Sequence, residues 1–290
     1  MSFRVDRAME KFYSETYTEE DRLHARPHGR LEFIRMQELL RRLLPPPPGR
    51  VLDVGGGTGV HASWLAEDGY SVHLIDPVPR HVAVARDISA GTFSVVEGDA
   101  RALEEPDDSA DIVLLLGPLY HLVERSDRMA ALQEARRVLR PRGVVAGSAI
   151  SRHAALLDFT TKGLLDSRAL ELIRELLERG VHDARLGFTR AHFHTPGEAA
   201  GELTEAGFDH VDVFGIEGPG WMALDASPEE RVDSLMPSAL ECARLAEQDP
   251  ALVSTSAHLL AIGRCLSAPG RCSGAHPPPD VDGGEGRRHD

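Results

Sequence analysis

Cysteine, long apolar runs and basic charge are all scarce in this chain, and each shortage excludes a class of protein. The three cysteines, Cys242, Cys265 and Cys272, fall late in the 290 residues and are odd in number. They match neither a disulfide framework nor paired zinc ligands, and a reducing cytoplasm is the expected location. No uninterrupted apolar run approaches the ~20 residues that a bilayer-spanning helix requires. The opening MSFRVDRAMEKFYSE is too polar for a signal peptide. Neither a membrane nor an export route is therefore expected. With 32 basic against 46 acidic residues the formal charge is −14, so a grip on a phosphate backbone, and hence a nucleic-acid substrate, is not expected.

What is present begins with VLDVGGGTG, Val51 to Gly59, which reads as a buried strand running into a turn almost bare of side chains. Val51, Leu52 and Val54 suit a strand, Gly55, Gly56, Gly57 and Gly59 remove all Cβ atoms but one, and Val60 to Glu67 can start a helix. A strand, glycine turn and helix in this order hold nucleotide-like ligands at the carboxyl edge of a parallel sheet.

Upstream, Met36, Leu39, Leu40 and Leu43 recur at helical spacing, and Pro45 to Pro48 stop that helix, so residues 1–44 read as an N-terminal helical cap. From Arg50 strand and helix signals alternate. Strands are expected at Val51 to Val54, Ser71 to Asp76, Phe93 to Glu97, Asp111 to Leu116 and Val144 to Ile150, with helices near Val60, Arg80 and Arg128. Such alternation predicts an α/β fold whose mostly parallel sheet is covered on both faces, with a cofactor-binding core over residues 45–150. Residues 151–194 read as a helical lid insertion, marked by the apolar stripe Leu170, Ile173, Leu176 and Leu177. The core sheet resumes over 195–266. There Thr195-Pro196-Gly197-Glu198 predicts a capping box, and strands follow at Val211 to Ile216 and His258 to Ile262. Ser227-Pro228-Glu229-Glu230 predicts a second capped helix, interrupted near Pro237. Residues 267–290 are Pro, Gly and charge, the composition of a disordered tail.

Two ligand classes fit the turn. Gly57 to Ala62 satisfies G-x-G-x-x-A, and Asp76 lies 19 positions after Gly57, as a dinucleotide's ribose acid would. That match alone supports a nicotinamide oxidoreductase. Asp53 inside the first strand, Asp99 closing VVEGD and the segment DIVLLLG point elsewhere. VLDVGGGTG, LIDP, EGDAR, DIVLLLGPLYHL and LRPRGVV, in this order, resemble the class I S-adenosylmethionine-dependent methyltransferases. LGPLYHL and EGPGW further resemble a bacterial subgroup of the small-molecule type.

The resemblance implies a Rossmann-like seven-stranded sheet of order 3-2-1-4-5-7-6 with strand 7 antiparallel. It also implies S-adenosyl-L-methionine as cofactor, S-adenosyl-L-homocysteine as product, and an O, N or C nucleophile of a small molecule as acceptor. Gly55, Gly57 and Gly59 would lie against the amino-acid and ribose portions, and Asp53 would support the turn and the ammonium. Asp76, followed by Pro77, would take the ribose hydroxyls, although an acid there also suits a helix cap. Asp99 and Ala100 would meet the adenine, and Leu116 and Gly117 would border the sulfur. Tyr13 and Tyr17 in the N-terminal segment would fold over the cofactor or pack within a helix.

Tyr120 and His121 follow the fourth strand, where the nucleophile should meet the methyl group. His121 is the candidate general base, since imidazole titrates near ~6.5, and equally a cofactor or substrate contact. Trp221 and His194 are candidates for the acceptor side, while His73 and His258 inside strands read as structural. No metal site is expected: His192 and His194 lack a third ligand at convincing spacing. A monomer or homodimer, and a cofactor-binding protein of this fold that does not transfer methyl groups, are both compatible with these residues.

Overall fold

The computed structural model describes residues 26–266; Tyr13, Tyr17 and the 267–290 tail, for which the sequence raised expectations, lie outside them. In chain order the elements are α1 (Pro27–Leu43), β1 (Arg50–Val54), α2 (Val60–Glu67), β2 (Ser71–Asp76), α3 (Pro79–Ser89), β3 (Ser94–Glu97) and β4 (Ala110–Leu115). Next come α4 (Pro118–His121), α5 (Arg125–Val138), β5 (Leu139–Ser151), α6 (Ala154–Thr161), α7 (Ser167–Arg179), β6 (Val181–His182) and β7 (Ala191–His194). The chain continues through α8 (Pro196–Glu205), β8 (Asp209–Gly215), α9 (Gly220–Asp225), α10 (Glu229–Ala246) and β9 (His258–Arg264).

Strands β3, β2, β1, β4 and β5 lie side by side and parallel, β9 adds antiparallel to β5, and β8 pairs with β9. Counted by the main strands, this is the expected 3-2-1-4-5-7-6 order with strand 7 antiparallel. Two strands were not expected. Short β6 and β7 form a pair inside the insertion, and β7 runs parallel to the end of β5 through Ile150 with Phe193 and Ser151 with His194. The lid read as helical is thus stitched to the sheet.

Alternation along the strands divides the core. Val51, Ile112 and Leu114 face one layer with Met36, Leu39, Leu40 and Trp64, whereas Leu52, Val113 and Leu115 face the other with Leu132, Ala135, Leu203 and Phe208. Helix α1 is fastened to the first layer by Arg35, only 1% exposed, whose guanidinium donates to Ile216 O, Glu38 and Glu247.

Local signals held at Thr195, where the side chain accepts from Glu198 N and Glu198 Oε2 accepts from Thr195 N at 2.8 Å, a complete capping box. They failed at the next helix. Ser227 Oγ turns back to donate to Ala223 O, leaving Pro228 as the N-cap of α10 without a side-chain bond. Nor does Pro237 interrupt that helix, since α10 runs through it with Val232, Met236, Ala239 and Ala243 buried. Burial of this face outweighs the ~3 kcal/mol that an interior proline costs. Among the described residues no helix is long and apolar enough to cross a membrane.

Candidate active site at the carboxyl edge of the sheet

The glycine turn leaves β1 with three residues in the left-handed region: Gly55 at φ +70°, Gly57 at +58° and Gly59 at +91°. Gly55 shows why a side chain is excluded. Its amide donates to Ile75 O at 2.7 Å, and a Cβ there would stand 2.6 Å from Pro118 Cγ. The turn is therefore wedged between the ends of β2 and α4. Gly55→Ala is expected to cost about 1–3 kcal/mol of stability through positive φ alone, with further loss from the Pro118 clash. An unchanged thermal midpoint in calorimetry would contradict this.

Asp53, 1% exposed, places its carboxylate directly beneath the turn: a Cβ on Gly56 would approach Oδ2 to 2.6 Å. Asp76, at the end of β2, joins both turns. Its Oδ2 accepts from Gly57 N–H at 2.9 Å, and its Oδ1 accepts from Val78 N–H at 2.9 Å with His81 Nδ1 at 3.2 Å. The helix-cap and cofactor readings of this acid are thus compatible, since one carboxylate fixes the glycine turn and the entry to α3. Pro77 lies half-buried between them.

Asp99 is held by Arg101, which donates from its backbone N–H, Nε and Nη2 at 2.9, 2.9 and 2.7 Å and reaches Asp127 with Nη1 at 2.9 Å. Burial pushes the Asp99 carboxyl up, but the Arg101 bonds more than offset it and hold the group below its usual value. Arg101 was missed in the sequence, where only its spacing of two from Asp99 could have flagged it. Ala100 is buried beside this pair.

Leu116 and Gly117 follow β4. A Cβ on Gly117 would lie 3.3 Å from Gly55 O and 3.8 Å from the Tyr120 hydroxyl, so the glycine turn, Gly117 and Tyr120 meet at one point. The Tyr120 ring packs on Ile150, Ile173, Leu176 and Phe193, which anchors the insertion over the strand ends. The His121 ring lies 4.6 Å from that of Tyr120 and 6.0 Å from that of Phe188. Three rings from two distant segments thus stand side by side beyond β4.

The other sequence candidates are enclosed. Trp221 is 2% exposed, donates from Nε1 to Thr255 O at 2.9 Å and packs with Leu31, Leu224, Val232 and Met236. His194 is 1% exposed, with Nε2 3.4 Å from Glu202 Oε2. Glu202 in turn accepts from Arg128 Nε and Nη2, the latter at 2.7 Å. The His192 ring stands 4.4 Å from that of His194. Burial, with the charges of His194 and Arg128, drives His192 down to about 3. Burial pushes Glu202 up, but hydrogen bonds from His194 and Arg128 win and leave it at about 2.

Both shifts destabilise the fold in acid. Below the ordinary histidine value of 6.5 the unfolded chain binds a proton that folded His192 refuses, and below 4.5 the same holds for Glu202. Stability is expected to fall from about pH 6.5 downward, first through His192 and then, between 4.5 and about 2, through Glu202. His192→Gln is expected to flatten the first part of this decline in calorimetry across pH 7 to 5. A slope equal to that of the wild type would refute the assignment.

A group the sequence had called structural also gathers at this edge. His258 opens β9 opposite Ile150, and its Nδ1 is 2.6 Å from Glu217 Oε1, with Glu32 of α1 adjacent. The EGPGW and S-x-H segments carry these residues, but nothing local in either predicts that they meet.

A sheet of this order, with a glycine turn after β1 and acids ending β2 and following β3, defines a Rossmann-like enzyme for a nucleoside-bearing cofactor. Residues 51–143 match a family model described as a methyltransferase domain. A ubiquinone biosynthesis O-methyltransferase of Cereibacter sphaeroides is 30% identical over 203 residues, covering 67% of this chain and 76% of that protein. The enzyme of the same name from Xanthomonas axonopodis pv. citri is also 30% identical, covering 69% and 76%. Among solved structures, a Thermotoga maritima protein described as a SAM-dependent methyltransferase, possible histamine N-methyltransferase, superposes with a TM-score of 0.57 at 20% identity, over 90% of this chain and 99% of that one.

The chain belongs to the class I S-adenosylmethionine-dependent methyltransferases. It uses S-adenosylmethionine to methylate a small molecule. The nicotinamide reading of the glycine turn falls. After β5 the sheet closes with β9, antiparallel to β5, and β8 paired to β9, where a dinucleotide fold would place a second wholly parallel half.

Proposed function

We propose that this enzyme O-methylates a flat, phenol-like small molecule that binds beyond the end of β4. The observation that carries this reading is the row of Tyr120, His121 and Phe188 rings beside Gly117, a surface suited to a planar acceptor. The O-methyltransferase names of the 30%-identical relatives support an oxygen nucleophile.

Gly55, Gly57, Gly59 and Asp53 hold the amino-acid end of S-adenosylmethionine, and Asp76 with the neighbouring Pro77 turn takes its ribose. Asp99 and Ala100 meet the adenine, while Leu116 and Gly117 flank the sulfonium. When bound, the sulfonium supplies an activated methyl group with a neutral thioether as leaving group. Tyr120 would orient the acceptor hydroxyl toward the methyl group that the cofactor supplies. His121 would accept the proton of the acceptor's hydroxyl at a ring nitrogen.

The 151–194 insertion roofs this site, with 45–150 and 195–266 forming the sheet beneath. The enzyme works in the cytoplasm as a monomer or homodimer, without a nucleic-acid partner, in keeping with its charge of −14.

Incubation with S-adenosylmethionine and matched phenol, aniline and thiophenol acceptors, followed by mass spectrometry, tests the proposal. A methyl ether accompanied by S-adenosylhomocysteine is expected. Transfer to nitrogen or sulfur alone would overturn it.

A further inference from the structure

Three elements that take no part in the cofactor reading converge on one enclosed group of ligand-type side chains. Glu32 comes from α1, Glu217 follows β8 and His258 opens β9. One oxygen of each carboxylate and one ring nitrogen lie within 4.8 Å of one another, the sole such set of three His, Cys, Asp or Glu side chains among the described residues. Glu217 is fully enclosed and Glu32 is 5% exposed, while the His258 side chain is 12% exposed. His258 Nδ1 stands 2.6 Å from Glu217 Oε1 and 3.6 Å from Glu32 Oε2.

The far side of Glu217 is already held. Ser256 Oγ donates to its Oε2 at 2.8 Å and the His258 backbone N–H at 2.9 Å. Ser256 Oγ is itself aimed by the Glu217 and Gly218 amides at 2.7 and 3.0 Å. With Oε2 locked in this way, Oε1 faces the imidazole and Glu32 in a single direction, the outer-partner organisation that metal-binding carboxylates share. Two enclosed carboxylate oxygens and one imidazole nitrogen thus converge from three elements, a donor set that one divalent ion fits. A nitrogen donor among oxygens selects zinc or manganese over calcium or magnesium.

We propose that Glu32, Glu217 and His258 bind one divalent transition-metal cation. The ion binds His258 Nδ1, and the ring keeps its one proton by moving it to Nε2, so the imidazole stays neutral. Because α1 supplies one ligand and the starts and ends of β9 and β8 the other two, the ion clips α1 to the carboxyl edge of the sheet. His258 pairs with Ile150, on which Tyr120 packs, so the clip borders the acceptor side of the site.

The full chain, stripped with a chelator and titrated with zinc or manganese chloride by calorimetry and thermal shift, tests this. One ion per chain and a raised unfolding midpoint are expected. Glu32→Gln and His258→Gln are expected to weaken binding at least tenfold, and Ser256→Ala, which removes an outer partner, by ten- to a hundredfold. Glu32→Gln leaves the Glu217, Ser256 and His258 bonds in place and so retains the fold. S-adenosylmethionine binding, measured in parallel, reports that fold and separates failure of the metal site from failure of the cofactor reading. No ion bound by the wild type, or equal binding by Glu32→Gln and His258→Gln, would overturn the proposal and leave a hydrogen-bonded carboxylate–imidazole pair.

Discussion

Asp76→Ala is expected to weaken S-adenosylmethionine binding by about ten- to a hundredfold, or ~1.5–3 kcal/mol, the range for a lost hydrogen bond to a charged group. The carboxylate holds Gly57 and Val78 through 2.9 Å bonds, so its loss acts twice. It removes the acceptor proposed for the ribose hydroxyls and also frees the turn that the amino-acid end needs. Asp76→Asn separates the two effects, because an amide retains one acceptor oxygen for the turn but presents a donor where the second oxygen stood. Calorimetric titration of both variants is the measurement. A dissociation constant unchanged in Asp76→Ala would remove this residue from the site.

Glu202→Ala is expected to be the most damaging single change away from the site. Arg128 is 3% exposed and, besides Glu202, donates only to the Leu122 and Val123 carbonyls at 3.0 and 2.7 Å among its described bonds. Removing the carboxylate strands a guanidinium in the interior, at a cost of about 3–5 kcal/mol. For a chain of this size that is on the order of a 10 °C fall in melting temperature. The paired replacement Arg128→Met with Glu202→Leu is expected to recover most of the loss, because neither charge is then buried alone. If Glu202→Ala melts within 2 °C of the wild type, the pair contributes nothing of this kind. The exposed Arg125–Glu205 pair offers the contrast, since solvent screens it and its removal is expected to leave melting unchanged.

Much of the architecture was legible because it is local. VLDVGGGTG folds as strand and turn with α2 starting at the next residue, and the Thr195 capping box is closed by two bonds between residues three apart. Of the stripe read in α7, Ile173 and Leu176 are buried and Leu177 half-buried, but Leu170 is 38% exposed and Leu172 is buried instead. Where the reading erred, a distant partner had intervened. Pro237 stays helical because the face around it packs on α1 and α9, and Ser227 follows the end of α9 rather than capping α10. Short β7 is a strand because the end of β5 offers it an edge, which no pattern in AHFH announces.

The candidate site divides in the same way. Sequence alone determined that the cofactor bears a nucleoside, because glycines and acids at the ends of successive strands of a parallel sheet are brought to one edge by the fold's regular repeat, and the family resemblance of the motifs narrowed it to S-adenosylmethionine. Only the tertiary structure decided the surroundings of the histidines. His121 stands among rings beyond β4, His194 is enclosed against Glu202, and His258 meets Glu32 and Glu217 at the start of β9. Imidazole serves as base, buried ion partner or metal ligand according to its neighbours, and those neighbours come from chain segments too far apart to leave a periodic trace.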